Sequence, residues 1–586
     1  MQEMSRALNF SAISLTKTHH RDTYPTISST KPSLSQVGKT VLITGGASGI
    51  GFEIARSFAK ASAARIIILS RKISSLNAAV EKLRDEFQSS GTEFITRQGD
   101  IGDDSSIIAL WDYLNSQNIF VHVLVLNAAH VTPFGPDTLS MDKQELMQTF
   151  DVNVGGNFLM SSRGILHQHR IRTQHLKPRL PLFLDESLMN DLPRTCDEMA
   201  LPADFSVWAA SPEASWLHGR FVWAHWDVDE LKADKDFCMQ LEQEKGFLKT
   251  FISLQELAYL YSRIVLYPTL WLNNGRAVLI TGGGGGIGFE IARSFAKAGA
   301  SKIIIVGRRS AVLDAAAVKL REEFKDSTPA PPEFIAHQGD IGNDDSISSL
   351  WDFLNSQGIF IRVLVLNAAH VTPWGLDTLK MDKRELMEGF DVNVGGNFLM
   401  TVKFVNQPLR PVGQQLNLIN VSTAGVHMIP APNQTPYTTT KSAFTALIGR
   451  IADERPVEDI QIISYHPGAL YSEGAAKYVD QNLLKWDEMA LPADYAVWAA
   501  SPEASWLHGR FLWAHWDVDE LKADKEFSKR LKQEKGFLRV AVQGLKDISI
   551  DALLNKQGHN KFVIRGYKIT PPFLHCSQRT SSAIAT

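Results

Sequence analysis

The feature that most constrains this chain is that it is written twice. Thr44–Lys60 recurs almost unchanged at Thr281–Lys297, Phe150–Met160 recurs at Phe390–Met400, and Asp197–Asp204 recurs at Asp487–Asp494. A chain of 586 residues is too long for one core, and the repeat divides it into two units of about 250. The offsets are 237, then 240, then 290, so the first copy lacks about 50 residues between Met160 and Asp197. In their place stands Ser161–Thr195, with Arg163, His167, His169, Arg170, Arg172, His175, Lys177 and Arg179. Without aromatic interleaving or a surrounding fold motif, that basic run reads as an irregular loop bridging a deletion, not as a nucleic-acid site.

The repeat sets the boundaries: a leader over 1–38, a truncated first domain over 39–250, a junction over 251–275, a complete second domain over 276–540 and a tail over 541–586. The polar, Ser- and Thr-rich start lacks an apolar signal core and is expected to be a flexible leader. Phe251–Leu272 is the most apolar stretch, yet Gln255, Glu256, Arg263 and Pro268 interrupt it, which predicts a junction helix and no membrane partner. A net charge of −3 gives no electrostatic reason for nucleic acid or an acidic membrane as partner. Cys196, Cys238 and Cys576 are scattered without metal-ligand spacing, so a reducing, cytoplasmic setting and no metal are expected.

Within each copy, short apolar runs alternate with amphipathic ones. In the second, Ala277–Ile280, Lys302–Val306, Phe334–His337 and Val363–Leu366 read as strands. Ile287–Ala298, Val312–Phe324 and about Lys383–Val402 read as helices. Near-continuous apolar strands separated by helices imply a parallel sheet covered on both faces, with ligands at the carboxyl ends of the strands. The fold class is therefore α/β, a Rossmann-type doubly wound sheet in two tandem copies, the first incomplete.

Two motifs carry chemistry. Thr281, Gly282, Gly286, Ile287 and Gly288 turn a strand into a helix, where bare backbone approaches a pyrophosphate at the helix N-terminus. Gly45, Gly49 and Gly51 repeat them. The next strand ends in Arg308 and Arg309 where an acidic residue would hold a ribose hydroxyl, so NADP(H) is preferred over NAD(H). Further on, Tyr437 and Lys441 lie four apart on one helix face, with Ser422 and Thr423 upstream. A neighbouring ammonium is expected to lower the phenol's pKa and make it a usable acid or base.

Together these motifs resemble the short-chain dehydrogenase/reductase family, and its fungal members in particular, some of them associated with secondary metabolism; the resemblance covers roughly residues 275–525. It implies that Asp340 and Ile341 contact adenine and that Asn367 anchors the turn after the fourth strand, although Leu366 and Ala369 depart from the family's pattern. By the same resemblance Asn393 orders a proton relay, while Pro467, Gly468 and Ser472 meet the nicotinamide. Tyr437 exchanges the proton, Lys441 supports it, and both contact the cofactor. For the hydroxyl that polarises the substrate oxygen, spacing to Gly425 favours Ser422 and spacing to Tyr437 favours Thr423, with Ser422 ranked first. His466 reads as packing, and the repeated Trp-rich block Trp498–Asp517 as core and interface.

The expected activity is interconversion of a small carbonyl and a secondary alcohol in the second copy. The first copy, having lost the catalytic segment, is expected to be silent, to bind dinucleotide weakly if at all, and to depend on the second for burial. A homo-oligomer stays open. Two rival readings are a dinucleotide-binding scaffold without turnover and a fused reading of two neighbouring duplicated genes.

Overall fold

A computed structural model describes residues 15–18, 20–132, 137–171, 182–183, 198–244, 248, 250–252, 276–328, 330–373, 375, 377–428, 434–471, 476, 480–483, 486–542, 563–564 and 567–568. In the first copy β1 (Thr40–Thr44), α1 (Gly49–Lys60), β2 (Arg65–Ser70), α2 (Ile73–Glu86), β3 (Glu93–Gln98), α3 (Asp104–Ser116) and β4 (Val123–Leu126) alternate without exception. There follow α4 (Lys143–Phe150), α5 (Asn157–Ile171), β5 (Leu182–Phe183), α6 (Ala200–Ala209), α7 (Val228–Ala233), α8 (Lys235–Gln243) and β6 (Thr250–Ile252). The second copy repeats the scheme as β7 (Ala277–Thr281), α9 (Gly286–Lys297), β8 (Lys302–Gly307), α10 (Ser310–Glu323), β9 (Glu333–Gln338), α11 (Asp344–Ser356) and β10 (Ile361–Leu366). It continues through α12 (Lys383–Phe390), α13 (Asn397–Val405), β11 (Leu416–Val421), α14 (Thr435–Glu454), β12 (Ile460–His466), α15 (Ala490–Ala499) and β13 (Arg510–Trp513). Helices α16 (Val518–Ala523) and α17 (Lys525–Gln533) and strand β14 (Val540–Val542) close it.

Both sheets are parallel and doubly wound: β3-β2-β1-β4-β5 in the first copy and β13-β12-β11-β10-β7-β8-β9 in the second. The cause is visible in the strands. All five residues of β7 and all six of β11 are buried, as expected where helices cover both faces. The order reverses between β7 and β10, which places the glycine turn at the switch point.

Where the first copy lost its catalytic segment, the structure differs from an irregular loop. Helix α5 runs on to Ile171, and β5 pairs with β4 through Val125↔Leu182 and Leu126↔Phe183. In the second copy the corresponding Val365 and Leu366 pair with Ile419 and Asn420 of β11. Two residues of the replacement thus cap the edge that the catalytic strand covers elsewhere, which satisfies backbone groups otherwise open to water. The rest of that segment, Cys196 included, lies outside the described residues, as do the junction from 253 to 275 and most of the tail with Cys576. Among the described residues no helix is long and apolar enough to cross a membrane, and no group of metal-ligating side chains occurs.

The leader is a second difference. In place of a flexible segment, residues 15–18 and 20–37 lie against the first copy, burying Tyr24, Ile27 and Leu34 in its core. The Tyr24 hydroxyl donates to Trp226 O at 2.9 Å and accepts from Val228 N at 3.1 Å. Thr23 donates to Asp204 at 2.6 Å, and His20 pairs with Asp227 at 2.8 Å. In the second copy the matching block around residues 492–514 is held by β12 instead, through Tyr465 Oη to Pro492 O and Gln461 to Ala499 O and Ser501 O. A strand lost from the middle of the first copy is thus compensated by chain from its start. Composition could not announce this, because the leader is polar overall and buries only a few apolar residues.

The copies meet through a pseudo-twofold interface. Lys143 Nζ binds Asp344 and Asp391 at 2.6 and 2.8 Å, and its counterpart Lys383 binds Asp104 and Asp151 at the same distances. Burial alone would lower both ammonium groups, but hydrogen bonds to the paired carboxylates raise them above the usual lysine value. The rings of Phe150 and Phe390, also equivalent positions, approach to 5.3 Å. At Gly395 the absence of a side chain makes room for Lys143 and Met147, since a Cβ there would lie 2.6 Å from Lys143 Cε and 2.8 Å from Met147 Sδ. Leu139 and Leu146 of the first copy are buried in a core made otherwise by the second, and β6 pairs antiparallel with β14.

Candidate active site

The glycine turn after β7 has the geometry a pyrophosphate needs. Gly282 and Gly286 have φ of 69° and 52°, a region that side chains disfavour, and a Cβ on Gly288 would overlap the Gly282 carbonyl oxygen. Helix α9 starts there with its N–H groups open toward the turn. Thr281 is fully buried and latches the turn to β10, its hydroxyl oxygen accepting from Asn367 N and Ala368 N at 3.0 Å. Asn367 Nδ2 returns hydrogen bonds to Thr281 O and Gly282 O at 3.0 and 3.4 Å. The polar anchor inferred from the sequence is therefore a brace that holds the cradle's shape. Ile287 lies in the first turn of α9, packed against the core.

Arg308 and Arg309 follow β8 exposed to solvent, and neither forms an ion pair with another described residue. Asp340 is turned back on its own loop, accepting from Gly342 N at 2.9 Å, and Ile341 is buried beside it. On the far side of the switch point, Gly468 has φ of 104° and packs on Asp487, whose Oδ2 accepts from Ala469 N at 2.7 Å and meets His515 Nε2 at 2.8 Å. That carboxylate fastens the turn after buried Pro467 to the segment approaching α15. Ser472 lies outside the described residues.

Asn393 does not sit in a regular helix. Asp391–Gly396 form a π-helical turn between α12 and α13, and Asp151–Gly156 form the same turn in the first copy. Sequence periodicity runs straight through this turn, so the expected unbroken helix missed it. Widening the helix there aims Asn393 at two neighbours: it accepts from His370 N at 2.7 Å and donates to His370 O at 2.8 Å and Thr440 Oγ1 at 2.9 Å. Thr440, one residue before Lys441, had no sequence signal, yet it ties the π turn to the catalytic helix.

Tyr437 and Lys441 lie one turn apart on α14, the first half-buried and the second buried, and Lys441 Nζ donates to Val421 O at 2.7 Å at the end of β11. The neighbouring hydroxyls part company. Ser422 is buried with its Oγ 2.8 Å from Thr445 Oγ1, deeper along α14. Thr423 is half-buried at the strand's mouth and accepts from Gly425 N at 3.2 Å, which leaves its O–H proton free to donate. Burial pushes the Tyr437 phenol up to about 12 and the Lys441 ammonium down to about 8. This corrects the expected depressed phenol: loss of hydration on burial disfavours the charged form of either group.

Within the Trp-rich block, Trp516 is buried and Trp498, Trp506 and Trp513 pack partly buried on the second core, as expected; Trp513, at the carboxyl end of β13, also stands beside His427, His466 and His515. An open cleft of about 450 Å³ between the copies, lined by Lys143, Asp344 and Asp391, belongs to the interface.

Two regions, 39–170 and 276–483, match the family described as short chain dehydrogenase. Among curated relatives, short chain dehydrogenase/reductase nsrO of Aspergillus novofumigatus is 35% identical over 272 residues, 46% of this chain and 89% of the relative. Short chain dehydrogenase/reductase AacuD of Aspergillus aculeatus is 30% identical over 268 residues, 46% of this chain and 88% of the relative. A solved short chain dehydrogenase/reductase family protein aligns over 41% of this chain and 95% of its own at 26% identity, with a TM-score of 0.36.

Proposed function

The chain belongs to the short chain dehydrogenase family, whose members are oxidoreductases that bind a nicotinamide dinucleotide, and from that premise we propose that its second copy interconverts a carbonyl and a secondary alcohol with NADP(H). The observation that carries this reading is that Lys441, one turn after Tyr437 on α14, donates to Val421 O at the end of β11, two residues before Thr423. Bound dinucleotide supplies or accepts the hydride. In reduction, the phenol of Tyr437 gives its proton to the substrate oxygen, and its raised pKa keeps that proton in place at neutral pH. Thr423, in preference to Ser422, donates a hydrogen bond to the same oxygen, because the Ser422 hydroxyl is paired with Thr445. Lys441 is held by Val421 O close to that centre, and Asn393 keeps the π turn and α14 in register through Thr440. Exposed, unpaired Arg308 and Arg309 supply the charge for a 2′-phosphate. A reducing, cytoplasmic setting goes with Cys238, a free thiol.

The test is a screen of NADPH oxidation by the full-length protein against ketones, aldehydes and quinones, using cofactor deuterated at the transferring carbon. Label appearing on the product's carbinol carbon supports hydride transfer. Oxidation without label in product, or none with any acceptor, contradicts it.

A further inference from the structure

Beyond the reaction type, the ends of β11, β12 and β13 carry a group of rings that neither the cofactor cradle nor the proton chemistry uses. Strand order places these three side by side, and the pairs Val421↔Tyr465 and His466↔Trp513 end the strands within one residue of a common level. Trp513 is the hub. Its ring lies 4.6 Å from His466, edge on, 5.2 Å from His427 and 6.0 Å from His515. His427 closes the short helical turn that Thr423 caps, so the row begins beside the hydroxyl assigned to the substrate oxygen. Tyr471 and Trp486, 5.1 Å apart, stand on the chain that leads away from the Pro467–Gly468 turn.

The hydrogen bonds settle what these rings offer. Trp513 Nε1 donates to His427 Nε2 at 3.1 Å, so that nitrogen is an acceptor and His427 is the neutral Nδ1–H tautomer. Asp487, the carboxylate that reaches the group, is already shared between His515 and Ala469 N. His466 Nδ1 is buried and has no hydrogen-bond partner. Burial holds His427 down to about 4, and burial with the neighbouring His515 and His427 holds His466 down to about 3, so both stay uncharged at neutral pH. The row thus offers flat ring surface beside one buried, unpaired ring nitrogen, with the Asp487 carboxylate as its charged neighbour.

We infer that this row is the substrate-recognition wall of the second copy, and that it selects a planar, uncharged aromatic ring bearing a hydroxyl or carbonyl over a saturated or anionic molecule of the same size. The inference rests on the carbonyl–alcohol reading for the site's position. Aromatic rings gain from edge and offset contacts that a saturated ring cannot make, and an anion would meet the Asp487 carboxylate that already stands among the rings.

Equilibrium binding to the full-length protein separates this claim from turnover. Calorimetric titration with 2-naphthol, decahydro-2-naphthol and 2-naphthoate should show 2-naphthol binding at least tenfold more tightly than either of the others. Trp513→Leu should bring 2-naphthol and decahydro-2-naphthol to within about threefold of each other, and Trp513→Phe should retain most of the preference. Thermal melts of both variants guard against a folding defect, and His466→Leu is the second variant should Trp513→Leu not fold, with the same loss of preference expected. Equal affinities in the parent, or an unchanged preference in both leucine variants, would overturn the inference. Selective binding of 2-naphthol without any reduction of 1-tetralone would instead leave the wall standing and count against the oxidoreductase reading.

Discussion

Tyr437 and Lys441 share one helix face, and burial moves their proton equilibria in opposite directions. Tyr437 keeps its proton up to about pH 12, whereas Lys441 loses its charge above about pH 8. If the ammonium is needed, kcat/KM for carbonyl reduction at saturating cofactor is constant below about pH 8 and falls about tenfold per unit above it. Lys441→Arg, whose guanidinium stays charged, should move that limb upward by more than one unit, and a pH profile in which both proteins break at the same point contradicts the assignment. Arg308→Asp replaces an unpaired cation with an anion, so NADPH affinity should fall at least tenfold more than NADH affinity in fluorescence titrations. An unchanged ratio would make Arg308 a surface charge only. The glycines, Tyr437 and Lys441 were legible in the sequence because their chemistry belongs to the residue type. The sense of the Tyr437 shift was not, since it depends on how much water the fold removes. Nor could counting choose between Ser422 and Thr423. Successive residues at a strand's end face opposite ways, and only the position of Thr445 shows which hydroxyl is already paired.

Strands and helices were legible wherever one period ran unbroken, and the misses share a cause. The π turn at Asp391–Gly396 hides inside a continuous amphipathic pattern, while β5 is two residues long and exists because β4 has an open edge. The leader is the largest miss. A polar segment gains its place through contacts distant in sequence, such as Tyr24 with Trp226 and Val228. Tyr24→Phe removes two buried hydrogen bonds while keeping the ring, and leaves the Trp226 carbonyl and Val228 amide to find other partners. That should destabilise the first copy by about 1–3 kcal/mol, read as an earlier first transition in calorimetry and faster proteolysis before residue 40. Identical melting and cleavage in parent and variant would mean the leader only rests on the surface.

At the scale of the whole molecule, the second copy carries β11, α14 and β12, on which the proposed chemistry rests, and the first copy packs against it. The first copy retains the glycine turn and its brace, with Asn127 Nδ2 donating to Thr44 O and Gly45 O as Asn367 does to Thr281 O and Gly282 O. Among its described residues there is no counterpart of α14, and its sequence has no Tyr-x-x-x-Lys. What it does have is a contact with the C-terminal end of α14: Thr138 N and Oγ1 donate to Glu454 at 3.0 and 2.5 Å, Arg455 pairs with Asp137, and Leu139 and Leu146 enter the second core. Two apolar side chains buried in that neighbour are worth roughly 3–6 kcal/mol together, which couples the stability of the two copies. The account therefore rests on a single catalytic centre in a two-copy chain. Its most direct test is the steady-state rate of full-length Tyr437→Phe with a turned-over carbonyl, beside its NADPH affinity. The expected result is a loss of about 10²–10⁴-fold in kcat with cofactor affinity within about threefold of the parent. A variant that turns over at the parent's rate would contradict the account, because the proton would then come from another residue or from the first copy.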